Sequence, residues 1–400
     1  MPRERHHPDG RDVLRSHRLR RLADRTDIVL AGGEHAHLHR PRELLVLRDD
    51  LAELRGPLDE LGGTERELPP RLEERLARFE LDRGAGGDDL ARELRRLRGG
   101  ERDVPFRLAP NHVLSGAPFV QGGPACFAEA ADEALEFVDG EGEGVRVAVI
   151  DTGFTPRLHD WLDTRTNAAP DTLEEQDVQP RNGWLDDEAG HGTFIAGVVL
   201  QRAPSATIEI AKVLDTEGYG SELDVARAIV DHADADVINL SLGCYSFDDQ
   251  PPLALAEALR HVAPTSVVVA AAGNDSTHRP HWPAAHKRAI GVAALDDAGE
   301  RASFSNYGWW VDAAARGVGV VSTFLEFAER DDVAIPGRTP QRFERWARWS
   351  GTSFAAPRLA GEIAAAMTRD GHTSARAAAA ALLAGGGHDP AGEVGVVLGF

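Results

Sequence analysis

The chain has 400 residues, 42% hydrophobic and 27% charged, with two cysteines and a formal net charge of −21. That balance is globular, and it excludes a disordered chain, a collagen-like repeat and a disulfide scaffold. Residues 1–100 carry 21 basic and 21 acidic side chains, so the negative excess lies wholly in residues 101–400; such a surface repels nucleic acid and anionic membrane and favours basic or neutral partners.

In chain order, residues 1–25 are polar and arginine-rich, and a frayed or disordered start is expected. Residues 28–31 are too short for the apolar core of a signal peptide, and no run approaches the roughly 20 residues that cross a bilayer. The expectation is a soluble, cytoplasmic protein.

Residues 43–47 read as a strand, and the leucines at 51, 54, 58 and 61 have helical spacing. Further apolar periodicity at 72–81 and 90–97 suggests a small α+β region over 26–98, followed by a linker or strap over 99–143 rich in Pro and Gly. Residues 34–40, EHAHLHR, put His35, His37 and His39 at period 2, on one face of an extended chain. A zinc site there lacks a clear fourth ligand, and a polar strand or loop is the plainer reading.

From residue 144 the texture changes. Short apolar runs at 145–150, 207–213, 236–241, 266–271, 288–294 and 318–323 alternate with helical patterns. Strands buried on both faces between helices predict a mostly parallel α/β sheet with helices on each side. The charged stretch 325–348 breaks this pattern and reads as a surface insertion.

Four pieces carry chemistry. Residues 145–153, VRVAVIDTG, form a strand ending in Asp151, and strand carboxyl ends face the ligand crevice of such sheets; alone, the Asp could cap a turn. Residues 190–193, GHGT, set His191 between glycines at a helix start, where a surface histidine is the bland alternative. Residues 351–357, GTSFAAP, put Ser353 at the positive end of a helix, although N-terminal Ser and Thr also serve as simple caps. Residues 270–274, AAAGN, end a strand in Asn274, whose amide could donate to an oxyanion or merely sit in a turn.

Asp151, His191 and Ser353 in that order, with Gly-Asn between, match one known ordering of the Ser-His-Asp triad. With VAVIDTG, GHGTFIAG, VINLSLG, AAAGN, RASFSNYG and GTSFAAP in sequence over 144–385, the chain resembles the subtilisin-like serine peptidases, or subtilases. The resemblance implies a three-layer α/β/α domain over 144–400 and a serine endopeptidase acting through an acyl-enzyme. In it Ser353 is the nucleophile, His191 the base and then acid, and Asp151 the group that orients the imidazole. Asn274 and the Ser353 N–H would form the oxyanion hole. The edge 240–243, with Ser241, Leu242 and Gly243, would pair with the substrate backbone and wall the pocket for the side chain before the cut, and Ala272 and Gly273 would also bind substrate. Gly218 and Gly220 would flank the peptide on its other side, and Pro283 is expected to follow a cis bond. No cofactor and no metal are expected, because the family's usual calcium loop is missing between 199 and 204.

Other departures from the pattern are Phe194 where the family has His, Arg316 and Trp309-Trp310 where Pro is common, and the insertion before the nucleophile. Asp186, Asp187, Asp248, Asp249 and Asp275 suggest a preference for Arg or Lys beside the cut, as in the kexin branch; a share in the general acidic surface is the alternative. Relatives carry a propeptide ahead of the catalytic domain. Here the N-terminal region is expected to be either an autoprocessed inhibitor or a permanently attached regulatory domain, and the implied whole is a regulated intracellular protease. A catalytically silent peptide-binding homologue is the rival reading.

Overall fold

The structure is a computed structural model that describes residues 21–32, 36–82, 88–98, 107–116, 127–335, 338–389 and 391–399. The expectation of a frayed N-terminus therefore falls largely outside the described residues, as do His35 and Cys126.

Strand alternation builds the main domain. In the strand Arg146–Asp151, Val147 and Val149 enter one core while Ala148 and Ile150 enter another. Successive side chains of a strand point to opposite faces, so a run apolar at every position must be covered on both. The helices His191–Leu200, Thr352–Arg369 and Ala375–Gly385 cover the first face, and Glu222–Asp231 with Leu253–His261 cover the second. The result is the three-layer α/β/α arrangement.

From one edge, the sheet runs Gly387–His388, Val396–Val397, Ala313–Arg316, Ala289–Leu295, Val267–Ala271, Val237–Leu240, Arg146–Asp151, Thr207–Lys212 and Thr166–Asn167. Every pairing is parallel except the hairpin of the first two strands. The order reverses around Arg146–Asp151, whose neighbours are Val237–Leu240 and Thr207–Lys212. A crevice opens beyond the carboxyl ends of such strands, and Asp151 ends the strand at the reversal.

The N-terminal region is an antiparallel sheet, Leu108–Ser115, His37–Leu47, Leu76–Leu81 and Gly63–Arg66, with Val29–Ala31 beside His37–Leu47. It extends past the expected boundary at 98. Leu108–Ser115 is a fully buried strand within the stretch expected to be a linker or strap, its Pro, Asn and His obscuring the apolar pattern. Leu54, Leu58, Phe79 and Leu114 join the same core as Ile229, Ala258 and Leu259 of the covering helices. The seam is also polar: Glu222, fully buried, accepts from the His112 backbone N–H and meets His112 Nδ1 at 2.9 Å. His37 and His39, in the strand His37–Leu47, are buried at this seam, with the His37 ring 5.4 Å from that of His39 and 5.7 Å from that of His112. Among the described residues no group of three or more His, Cys, Asp or Glu side chains has metal-binding geometry, and no helix is long and apolar enough to cross a membrane.

The insertion supplies two paired strands. Val320–Ala328 pairs antiparallel with Arg342–Trp349, which in turn pairs with Glu129–Ala130. It lies on the helix His191–Leu200, where Ser322 Oγ and Thr323 Oγ1 donate to the carbonyls of Phe194 and Thr193, each at 2.8 Å.

Candidate active site

Asp151 and His191 meet as the sequence implied. His191 Nδ1 lies 2.7 Å from Asp151 Oδ1, which also accepts the Thr152 N–H at 2.8 Å. Both side chains are buried. The approach depends on two glycines: a Cβ at Gly192 would sit 2.1 Å from the Gly153 carbonyl oxygen, and Gly153 itself has φ +120°. Burial alone would depress the His191 pKa; the charge and hydrogen bond of Asp151, followed by the charges of Glu188 and Glu174, overcome it and lift the group to about 9.

Ser353 lies in the first turn of Thr352–Arg369, its carbonyl held by Ser241 Oγ at 2.8 Å. Its own hydroxyl faces the carbonyl oxygens of Gly116 and Ser241, each at 3.2 Å. Asn274 Oδ1 accepts from Thr352 N at 2.7 Å and Thr352 Oγ1 at 2.9 Å. That pins the acceptor end of the carboxamide and turns Nδ2 toward the crevice, within 3.6 Å of where a Cβ on Gly351 would stand.

Ser241, Leu242, Gly243 and Gly273 line a pocket beside Ser353 and Asn274. Ala272 does not. Ala271 lines the pocket, while Ala272 turns into the core on the other face and its carbonyl accepts from Asn306 Nδ2 at 2.8 Å. Trp282–Pro283 is cis.

The groove is occupied by the chain itself. Ser115 N–H donates to the Gly243 carbonyl at 2.8 Å, Gly243 N–H to the Ser115 carbonyl at 3.0 Å, and Gly116 N–H to the Gly218 carbonyl at 3.0 Å. On the other side Leu108–Ser115 pairs antiparallel with Tyr219–Ser221, Gly220 facing Leu114. An extended segment thus runs between two strand edges, the geometry of β-strand addition.

Sequence reasoning missed Glu174. Its carboxylate accepts from Thr152 Oγ1 at 2.5 Å, Gly190 N at 3.0 Å and Thr193 Oγ1 at 2.7 Å. Thr152 follows Asp151 and Thr193 lies in the first turn of the histidine helix, so this carboxylate ties the two elements together. Its isolation from any motif hid it. Glu174→Gln is expected to lower kcat about tenfold, the value of one charge-assisted hydrogen bond, with KM within about twofold. Steady-state kinetics on a peptide substrate check it.

The departures also find places. Phe194 packs with Trp349 and Phe354, ring centroids 5.9 and 4.6 Å away, and Trp349 stands edge-on to the His191 ring at 5.5 Å. Of the five suspected aspartates, Asp248 pairs with Arg98, Asp249 with Arg279, and Asp187 with Arg338. Asp275 accepts the Tyr245 hydroxyl, and Asp186 accepts Thr216 Oγ1 with two backbone N–H groups.

A family model described as the subtilase family, Peptidase S8, matches residues 142–385. The thermophilic serine proteinase of Bacillus sp. strain AK1 is 37% identical over 244 residues, 58% of this chain and 54% of that protein. Subtilisin Savinase of Lederbergia lenta is 35% identical over 56% of this chain and 76% of its own length. Thermitase of Thermoactinomyces vulgaris is 34% identical over 60% and 80% respectively. The chain thus spans about half the length of the first relative and three quarters or more of the other two. The crystal structure of fervidolysin from Fervidobacterium pennivorans, described as a keratinolytic enzyme related to subtilisin, superposes on 93% of this chain and 62% of its own, with TM-score 0.61 and 20% identity, a likeness of fold. By the family match over most of its main domain and by these relatives, the chain belongs to the subtilase family of S8 serine peptidases.

Proposed function

We propose that the chain is a serine endopeptidase whose cleft is closed by its own N-terminal region. The observation that carries this reading is the joint placement of a buried Asp151–His191 pair and Ser353 at a groove already holding an extended segment. In catalysis the Ser353 hydroxyl turns from the Gly116 and Ser241 carbonyls toward His191 Nε2. Its oxygen attacks the substrate carbonyl carbon while Nε2 takes the proton. The imidazolium, held by Asp151, then protonates the leaving amine as the C–N bond breaks, and water repeats the cycle on the acyl-enzyme. Asn274 Nδ2 and the Ser353 N–H stabilise the developing oxyanion.

The segment at 114–116 supports an inhibitory role for residues ahead of the cleft, since a peptide cannot enter the same ladder until it leaves. Intact mass before and after treatment with a fluorophosphonate probe tests the reading. One adduct, absent from Ser353→Ala, is expected, and it forms faster once limited proteolysis has cut the chain between the two regions. No adduct on either the whole or the cut chain would overturn it in favour of a silent peptide-binding homologue.

A further inference from the structure

The chain carries a net charge of −21, yet positive charge gathers at the seam between its two regions. A cavity of about 790 Å³ opens there, lined in part by Leu47, Ala109 and Leu253. Arg98 and Arg107 line it from the N-terminal region, and Arg260, Lys287 and Arg288 line it from the main domain.

Two carboxylates share the lining, Asp248 and Glu257, and both are already engaged. Asp248 pairs with Arg98, while Glu257 lies 3.0 Å from Arg75 Nε and 3.5 Å from Arg260 Nε. Among the described residues no carboxylate meets the side chains of Arg107, Lys287 or Arg288. The half-buried His286 on the same wall registers the excess. Burial, with the Arg288 and Lys287 charges adding to it, holds its imidazole down at about 4.

One strand joins this cavity to the cleft. Leu108–Ser115 has Ala109 and His112 in the cavity lining, and Val113 and Ser115 in the pocket beside Ser353. Arg98 holds the start of that strand, donating to the Leu108 carbonyl from Nε at 3.0 Å and from Nη2 at 2.6 Å. We propose that the cavity binds a small polyphosphate anion, which bridges the two regions and fastens Leu108–Ser115 in the cleft.

The volume is that of a small-molecule site. Guanidinium groups meet phosphate oxygens in paired, charge-assisted hydrogen bonds. Cations on separate elements call for several linked anionic groups, which a chain of phosphates supplies. The coupling to the cleft rests on reading Leu108–Ser115 as its block; the binding site does not. A ligand that needs both regions in place stabilises the docked state by its differential affinity for that state.

The full-length Ser353→Ala chain, titrated calorimetrically with inorganic tripolyphosphate, tests the site without turnover. One site is expected, with a thermal midpoint ~3 °C or more higher near saturation. Lys287→Gln with Arg288→Gln removes two exposed cations and should weaken binding about tenfold or more. No binding, or binding that survives this double change, overturns the site. Sulfate or a poly-glutamate peptide that binds as tightly, at matched ionic strength, overturns the ligand class. Tighter binding of ATP assigns a nucleotide as the source, and equal or weaker binding assigns the free polyanion. In the active chain, tripolyphosphate should slow hydrolysis of a fluorogenic peptide about tenfold, and leave the double variant unslowed. An enzyme that binds it and is not slowed sinks the coupling. A chain that binds it yet hydrolyses nothing sinks the peptidase reading and leaves the site intact.

Discussion

His191→Ala and Ser353→Ala are each expected to reduce peptide hydrolysis by about 10⁶-fold, and the double variant by hardly more. The reason is that the two groups act on one proton: without the imidazole the hydroxyl is a poor nucleophile, and without the hydroxyl the imidazole has nothing to activate. Asp151→Asn should cost about 10⁴-fold, since the amide can hold the ring in the wrong tautomer. The pH profile separates this variant from a simple loss of folding. In the wild type His191 titrates from about 9, because the Asp151 charge and hydrogen bond outweigh burial. Only the neutral imidazole accepts the serine proton, so activity rises with pH through that region. Removing the Asp151 charge lets burial pull the group down, and the rising limb of kcat/KM moves to lower pH. A limb that stays in place in Asp151→Asn would show that another group governs it.

The second large effect concerns access. Ser115→Pro deletes the N–H that donates to the Gly243 carbonyl at 2.8 Å and leaves that acceptor unmet while the segment is seated. Proline's ring must also fit a ladder paired on both edges, with Gly243 on one side and Tyr219 on the other. The seated state is expected to weaken by about tenfold, and turnover of an added peptide should rise by a similar factor. Initial rates with a fluorogenic peptide measure it. An unchanged rate would mean that the segment does not limit entry.

The candidate catalytic groups were legible because each sits in a short contiguous motif at a strand end or helix start. The unbroken apolar run at 147–150 foretold a sheet covered on both faces. What stayed hidden depends on distance along the chain. Glu174 acquires its meaning from partners brought together by folding, Thr152 and Thr193. That Leu108–Ser115 is a strand was hidden for a similar reason. Its polar residues looked like loop chemistry, yet His112 is satisfied by Glu222 from the other region. The five aspartates drew attention through sequence proximity, although the structure ties four of them into ion pairs or backbone turns and gives Asp275 to a tyrosine.

On the proposed reading, Leu108–Ser115 blocks the cleft as a tethered ligand, because it belongs to the same chain. Its local concentration is set by the connecting residues and lies on the order of millimolar, whatever the concentration of protein in solution. Dilution therefore cannot release the cleft of an intact molecule. A single backbone cut between the strand and the main domain changes the law that governs closure: the segment becomes a second species, and the open fraction then depends on total protein. Concentrated samples would remain silent and dilute ones would switch on, which makes the chain's continuity itself the setting of the threshold.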